Sequence, residues 1–266
     1  MSVDGPVAVV TGAARGIGAA AAQRLAADGW RLVLVDRAAD DPALDYALAT
    51  TADLAATAAA CGGDDVAVTV VGDVRDQHAL DAAVAVAVER FGGLDAAVAV
   101  AGAVAGGAEA WRTSDEVWAA MLGVNLEGTW RLARAAVPAL LERPAPRRGR
   151  FVAVASAGGT IGLPMLAAYS AAKHGVIGLV RSLAAELGPH GVTANAVAPG
   201  STVTAALAAS AAVYDLADTS AFAAQARLGR LLGPDEIAAA IAWLCGTDAG
   251  GVTGTVLAVD AGMTSG

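Results

Sequence analysis

Thr11-Gly12-Ala13-Ala14-Arg15-Gly16-Ile17-Gly18 is the stretch on which the fold turns. It follows a short β-branched run, Val7–Thr11. It opens a segment, 16–28, in which Ile17, Ala21, Leu25 and Ala26 recur at helical spacing. Glycines let the chain turn sharply and let its backbone approach a pyrophosphate. A helix amino terminus then offers that anion free N–H groups and the positive end of the peptide dipole. In a chain with 32 glycines such a pattern is weak by itself; its strand–turn–helix setting gives it meaning.

Outward from this loop the same alternation continues. Further apolar runs occupy 31–35, 66–71, 96–100, 151–155, 192–197 and 255–259. They are continuous rather than alternating, as in parallel strands buried on both faces. Helical patterns separate them at 77–90, 114–141, Ala167–Leu187 and Pro234–Cys245. The last begins Pro234-Asp235-Glu236, with proline in the first turn and acids near the positive dipole end. Alternating β and α predicts an α/β fold: a doubly wound, Rossmann-type parallel sheet of seven strands in three α/β/α layers. Two segments exceed plain alternation. Residues 38–63 hold an Asp-Asp-Pro turn, Tyr46 and an alanine-rich helix; residues 203–232 form a helical, lid-like stretch with Leu207, Tyr214 and Phe222. No repeat or linker divides the chain, so residues 1–266 are expected to form a single domain.

Composition excludes several classes. Of the 266 residues, 56% are hydrophobic and 16% charged, which is incompatible with disorder. A net charge of −9 repels nucleic acid and anionic membrane, so neither is expected as a partner. Two cysteines, Cys61 and Cys245, give no disulfide framework, and three dispersed histidines give no metal site. Residues 1–6 have no basic region of a leader, and charges or glycines break every apolar stretch before spanning length. A soluble, cytoplasmic protein is expected.

Asp36 ends the second predicted strand. A carboxylate there can accept from both adenosine ribose hydroxyls and repel a 2′-phosphate, favouring NAD over NADP; it can also simply cap a turn. Arg15 and Arg37 pull the other way, since either could pair with a 2′-phosphate. Asp73-Val74 ends the third strand, where a carboxylate can accept from the adenine amino group or shape the turn before Arg75-Asp76.

The sharpest chemical signal is Tyr169-Ser170-Ala171-Ala172-Lys173. Positions i and i+4 share a helix face, so phenol and ammonium can converge. A free tyrosine, with a pKa of about 10, is too weakly acidic to act as a base at neutral pH. A nearby cation stabilises the phenolate and lowers that value. Ser156, just past the fifth strand, can bond a substrate oxygen. Asn125 lies mid-helix, where asparagine is a poor helix former, and so suggests water or backbone binding inside the fold.

Gly12, Gly16, Gly18, Asp73, Asn125, Ser156, Tyr169, Lys173 and Pro199-Gly200, in that order and spacing, resemble the short-chain dehydrogenase/reductase family across essentially the whole chain. The resemblance implies strand order 3-2-1-4-5-6-7 and NAD held by Gly12, Arg15, Gly16, Ile17, Gly18, Asp36, Asp73, Val74 and Gly102. It implies Tyr169 as general acid/base and Ser156 orienting substrate. Lys173 lowers the tyrosine pKa and holds the nicotinamide ribose, and Asn125 holds a relay water. Pro199, Gly200 and Thr204 flank the nicotinamide. Two departures stand out. The family's Asn-Asn-Ala-Gly reads Ala99-Val100-Ala101-Gly102 here, and its final Asp-Gly-Gly reads Asp260-Ala261-Gly262.

Residues 38–63 with Asp40-Asp41-Pro42, the run 151–156 and Trp243-Leu244-Cys245-Gly246 are similar to mycofactocin-associated members. That resemblance implies a segment covering NAD, which stays bound while a peptide-derived carrier takes the electrons. The implied reaction interconverts an apolar secondary alcohol and its ketone by hydride transfer. Leu163, Leu207, Tyr214, Phe222 and Trp111 are candidates to line the pocket. A 3-oxoacyl-(acyl-carrier-protein) reductase is the alternative enzyme. The basic cluster Arg143/Arg147/Arg148/Arg150 precedes strand five, opposite the expected site, and counts against carrier docking. An NAD-binding sensor or scaffold is the alternative from outside enzymology. The family also implies a homotetramer, with Trp118 and Trp130 either in its contacts or inside the fold.

Overall fold

The structure is a computed structural model describing residues 5–265; residues 1–4, on which part of the no-leader reading falls, lie outside the described residues, as does Gly266. Seven strands form one sheet: β1 Val7–Thr11, β2 Arg31–Asp36, β3 Ala67–Val71, β4 Ala96–Ala99, β5 Arg150–Val154, β6 Thr193–Pro199 and β7 Val256–Val259. Their order is β3-β2-β1-β4-β5-β6-β7, and every neighbouring pair is parallel. The strand order implied by the family resemblance is therefore the observed one.

The continuous apolar runs are explained by burial on both faces. Ala8, Val10, Leu32 and Leu34 face one layer, covered by α1 Gly16–Ala27, α2 Thr51–Ala60 and α8 Pro234–Cys245 through Leu25, Leu54, Ile237 and Ile241. Val7, Val9, Val33 and Val35 face the other. There α3 Gln77–Phe91, α5 Gly128–Glu142 and α6 Ala167–Leu187 bring Leu80, Leu132, Leu140, Val176 and Val180. Each fully buried Leu or Ile contributes roughly 1.5–3 kcal/mol of transfer free energy. A polar residue at any of these alternating positions would therefore break one layer.

The chain winds outward from β1 to β3, then returns to lay β4 beside β1. Where the winding reverses, the crossovers leave on opposite faces and a crevice opens at the carboxyl ends of β1 and β4. The Gly12–Gly18 loop sits at that crevice.

The predicted continuous helix over 114–141 is corrected. The structure has α4 Asp115–Met121, a π turn at Leu122–Glu127, and then α5. Side chains compete for the backbone here. Asn125 Nδ2 donates to Met121 O at 3.0 Å, Thr129 Oγ1 donates to Asn125 O at 2.8 Å, and Gly128 N–H reaches back five residues to Gly123 O. The extra residue per turn is how the helix accommodates these bonds.

In the 38–63 segment, Thr50 caps α2 by accepting from Asp53 N at 3.2 Å, and Asp53 accepts from Thr50 N at 2.8 Å. Residues 203–232 contain α7 Ala205–Val213 and a 3-10 turn at Thr219–Gln225. Ala261, where the family has glycine, adopts φ +53°.

Candidate active site

Close approach explains two glycines of the loop. Gly12 has φ +67°, and a Cβ there would lie 2.6 Å from Ala101 Cα. A Cβ on Gly18 would lie 1.9 Å from Gly12 O. Arg15, in extended conformation before α1, makes no side-chain cap bond, so the first N–H groups of a twelve-residue helix open onto the crevice. In place of the family's asparagine side chains, Thr11 Oγ1 accepts from Val100 N and Ala101 N at 3.2 and 3.3 Å, holding the strand-four loop against the glycines.

Asp36 lines the crevice and shapes its turn at once: Oδ2 accepts from Ala14 N and Oδ1 from Ala38 N, each at 3.0 Å. Both arginines that argued for a 2′-phosphate are engaged by protein. Arg15 Nη2 donates to Ala47 O at 2.7 Å, and Arg37 Nη1 donates to Asp41. Asp73 accepts from Arg75 Nη2 at 2.6 Å and from Arg75 N at 2.9 Å, so the turn reading of this carboxylate is realised while it also lines the crevice. Burial pushes Asp73 up; hydrogen bonds from Arg75 and the Arg75 and Arg37 charges outweigh it and hold the carboxyl below its usual range.

Two adjoining cavities follow the crevice. The larger, about 650 Å³, runs along the glycine loop past Asp36, Asp73 and Val74. The smaller, about 190 Å³, holds Asn125, Ser156, Tyr169, Lys173, Pro199 and Gly200. Ile17, Gly102 and Thr204 line both. Every catalytic and cofactor-binding residue expected from sequence therefore borders one or both.

Within the smaller cavity, Lys173 is 4% exposed. Its Nζ donates to Val154 O at 2.8 Å and lies 5.8 Å from the centre of the Tyr169 ring. Burial pushes the ammonium down to about 8. Asn125 is fully buried; its amide clasps Ala103, donating to O at 3.0 Å and accepting from N at 3.2 Å. Ser156 Oγ accepts from Gly158 N at 3.0 Å. Tyr169 is half-buried and borders the cavity. Burial pushes the phenol up, a hydrogen bond with Ser156 pulls it down, and the neighbouring Tyr46 adds a further upward push. Lys173 is not among the groups that shift the phenol here. The ammonium is anchored on a carbonyl below the ring, and desolvation dominates the phenol.

Leu163, Leu207, Tyr214 and Phe222 line the smaller cavity as expected, and Tyr214 Oη donates to Pro164 O at 2.8 Å, tying residues 203–232 to the loop after β5. Trp111 is 81% exposed and lies outside it, because its 3-10 turn at Ala110–Arg112 buries no side chain. Trp118 and Trp130 are also partly exposed. Sequence reasoning missed Leu166 and Met263 in the cavity wall, and it missed Tyr46. Tyr46 Oη accepts from Val104 N at 3.1 Å, so residues 38–63 bridge to the loop beside Tyr169. The same segment is tied to the glycine loop, where Thr57 Oγ1 donates to Ala14 O at 3.1 Å. A tyrosine following an Asp-Asp-Pro turn was the one available signal.

Among the described residues no group of three or more His, Cys, Asp or Glu is placed to hold a metal ion, and no helix is long and apolar enough to cross a membrane.

The comparisons agree with this geometry. A family profile described as enoyl-(acyl carrier protein) reductase matches residues 12–264. An uncharacterized NAD-dependent oxidoreductase of Mycobacterium tuberculosis is 37% identical over 98% of this chain and 96% of its own. A (−)-trans-carveol dehydrogenase of Rhodococcus erythropolis is 39% identical over 74% of this chain and 71% of its own. The crystal structure of a carveol dehydrogenase from Mycobacterium avium in complex with NAD superposes with a TM-score of 0.93 at 36% identity, covering 100% of this chain and 99% of that one.

Proposed function

The chain belongs to the short-chain dehydrogenase/reductase family, and from that premise we propose that it is an NAD-dependent dehydrogenase interconverting an apolar secondary alcohol and its ketone. The carrying observation is the convergence of Asn125, Ser156, Tyr169 and Lys173 on one small cavity continuous with the glycine-lined crevice.

The residues fit NAD. The loop is drawn in where a Cβ on Gly12 or Gly18 would collide with backbone, α1 presents its open N–H groups, and the Asp36 carboxylate lines the same crevice, where it would accept from ribose hydroxyls, while Arg15 and Arg37 are already bonded. Gly12, Arg15, Gly16, Ile17, Gly18, Asp36, Asp73, Val74 and Gly102 would hold it, with Pro199, Gly200 and Thr204 at the nicotinamide end. When bound, NAD supplies the hydride acceptor for the carbinol carbon. The chain supplies the rest. Ser156 orients the substrate oxygen, and Tyr169 Oη takes the hydroxyl proton in oxidation and returns it in reduction. Lys173, held on Val154 O, keeps a positive charge beneath the phenol. Asn125 fixes the Ala103 backbone at the cavity floor.

The apolar walls, Leu163, Leu166, Leu207, Phe222 and Met263, favour an apolar substrate, in keeping with the relatives named for carveol. Three ties hold residues 38–63 across the crevice: Thr57 to Ala14, Arg15 to Ala47, and Tyr46 to Val104. They support the narrower reading, in which NAD stays bound through turnover and mycofactocin accepts the electrons. Arg143 is paired with Asp95, Arg147 with Leu141 O, and Arg150 is buried against Gly246 O, so of the basic cluster only the exposed Arg148 is left to meet an acidic carrier protein. Partly exposed Trp118, Trp130 and Trp243 support the homotetramer as part of this reading.

The test is to denature the purified protein, identify released nucleotide by mass spectrometry, and then assay carveol oxidation with NAD and with an artificial electron acceptor. Bound NAD near one per chain, with turnover dependent on Tyr169, supports the reading. A Tyr169→Phe chain with full biological activity supports a sensor instead.

A further inference from the structure

The adenosine end of the crevice is closed by four charged side chains that lie apart in sequence. Arg37 follows Asp36 at the end of β2 and lines the crevice. A free guanidinium there would take a 2′-phosphate in a bidentate pair. It is not free. Arg37 Nη1 donates to Asp41 Oδ2, and Arg37 Nε stands 3.6 Å from Asp73 Oδ2. Asp41 Oδ2 also accepts from Arg75 Nη2 at 2.7 Å, and Asp41 Oδ1 accepts from Ala43 N at 3.0 Å. Asp41 is 5% exposed. A carboxylate so buried needs its cations, and releasing Arg37 to another anion would leave it half-paired.

We propose that Asp41 is a specificity-determining residue for the nucleotide: by engaging Arg37 and Arg75 in a buried pair network, it withholds both from a 2′-phosphate and leaves the Asp36 carboxylate to discriminate. This rests on the NAD reading above. Two guanidinium groups and the carboxylates of Asp41 and Asp73 cancel, so this cluster leaves no net positive charge for a 2′-phosphate beside the Asp36 carboxylate. The device is supplied by the 38–63 segment, whose first turn places Asp41 between the ends of β2 and β3. Burial alone would raise the Asp41 carboxyl; the Ala43 N–H and the two arginine charges hold it ionised.

The test is Asp41→Asn, which retains an oxygen for Ala43 N–H and removes the charge. NAD and NADP are each titrated calorimetrically into the purified chain. Both nucleotides carried through purification are counted by mass spectrometry, so a chain that arrives loaded still reports the ratio. The preference for NAD over NADP should fall by about tenfold or more, the scale of a charge-assisted bond. Arg37→Gln added to Asp41→Asn should cancel that gain. Arg37→Gln alone, informative even if Asp41→Asn does not fold, should leave NADP affinity within about twofold of wild type. An unchanged preference in Asp41→Asn, a gain that survives Arg37→Gln, or weaker NADP binding in Arg37→Gln alone overturns the assignment while leaving the NAD reading standing. A wild-type chain that binds neither nucleotide overturns both.

Discussion

Gly102 and Asn125 stand so close that a Cβ on residue 102 would lie 2.9 Å from Asn125 Oδ1 and 3.4 Å from Lys173 Nζ. The missing side chain therefore lets the strand-four loop, the π turn and α6 meet at one point. Asn125 Oδ1 cannot retreat without losing Ala103 N–H. Gly102→Ala should cost roughly tenfold to a hundredfold in kcat, the scale of an ångström-sized misplacement at a reacting centre. Steady-state kinetics beside a thermal melt check this. Unaltered kcat would mean that the loop yields freely.

Tyr169→Phe removes the proposed proton acceptor and should lower kcat by about 10²–10⁴-fold while nucleotide binding persists. Burial raises the phenol in the chain, so alcohol oxidation should climb with pH as the phenolate forms. The Ser156 hydrogen bond opposes that rise. Its loss in Ser156→Ala should move the midpoint of the kcat–pH profile to higher pH. A midpoint that stays in place would show that Ser156 acts on substrate alone.

Lys173 gives a stability signature with a definite sign. Its pKa is pushed from 10.5 to about 8 on folding. Between those values the unfolded chain binds the proton and the folded chain does not, so this group's contribution to stability rises with pH. Below about 8 both states are protonated and the folded state carries the whole cost of a buried ammonium. Wild-type stability relative to Lys173→Met should therefore rise by about 2–3 kcal/mol between pH 8 and 10.5. Urea unfolding at the two limits measures it; a flat difference would show an ordinary lysine.

Ala38 adopts φ +52° directly after Arg37, a conformation alanine tolerates poorly. Relief of about 1–2 kcal/mol of strain in Ala38→Gly outweighs the added freedom of the unfolded chain, about 0.4–1 kcal/mol. The melting temperature should rise by roughly 1–3 °C. A fall would show that the Ala38 methyl packs usefully.

How much of this was legible in advance follows from the range over which each interaction acts. The seven strands, the glycine loop and the Tyr169/Lys173 pair are written in neighbouring residues: apolar runs, a turn, an i,i+4 spacing. The break in the 114–141 helix was not, because it depends on Asn125 and Thr129 side chains outcompeting backbone bonds that periodicity cannot register. Trp111 was misplaced for a related reason, since hydrophobicity alone does not say whether a side chain has a wall to meet.

By itself, the order of residues determined the alternation of strands and helices through local periodicity, and the strand order and the groups that border the crevice through motifs that resemble a known family. Only the tertiary structure decided which of those groups are free to act. Arg37 looks available until Asp41 packs beside it, and Arg75 meets the same carboxylate across 34 residues of sequence. Lys173 looks like an ordinary exposed lysine until the fold buries it and Val154 O takes one of its three N–H donors. Charge pairing and desolvation depend on distances through space, and those are set only when the sheet and its two helical layers close together.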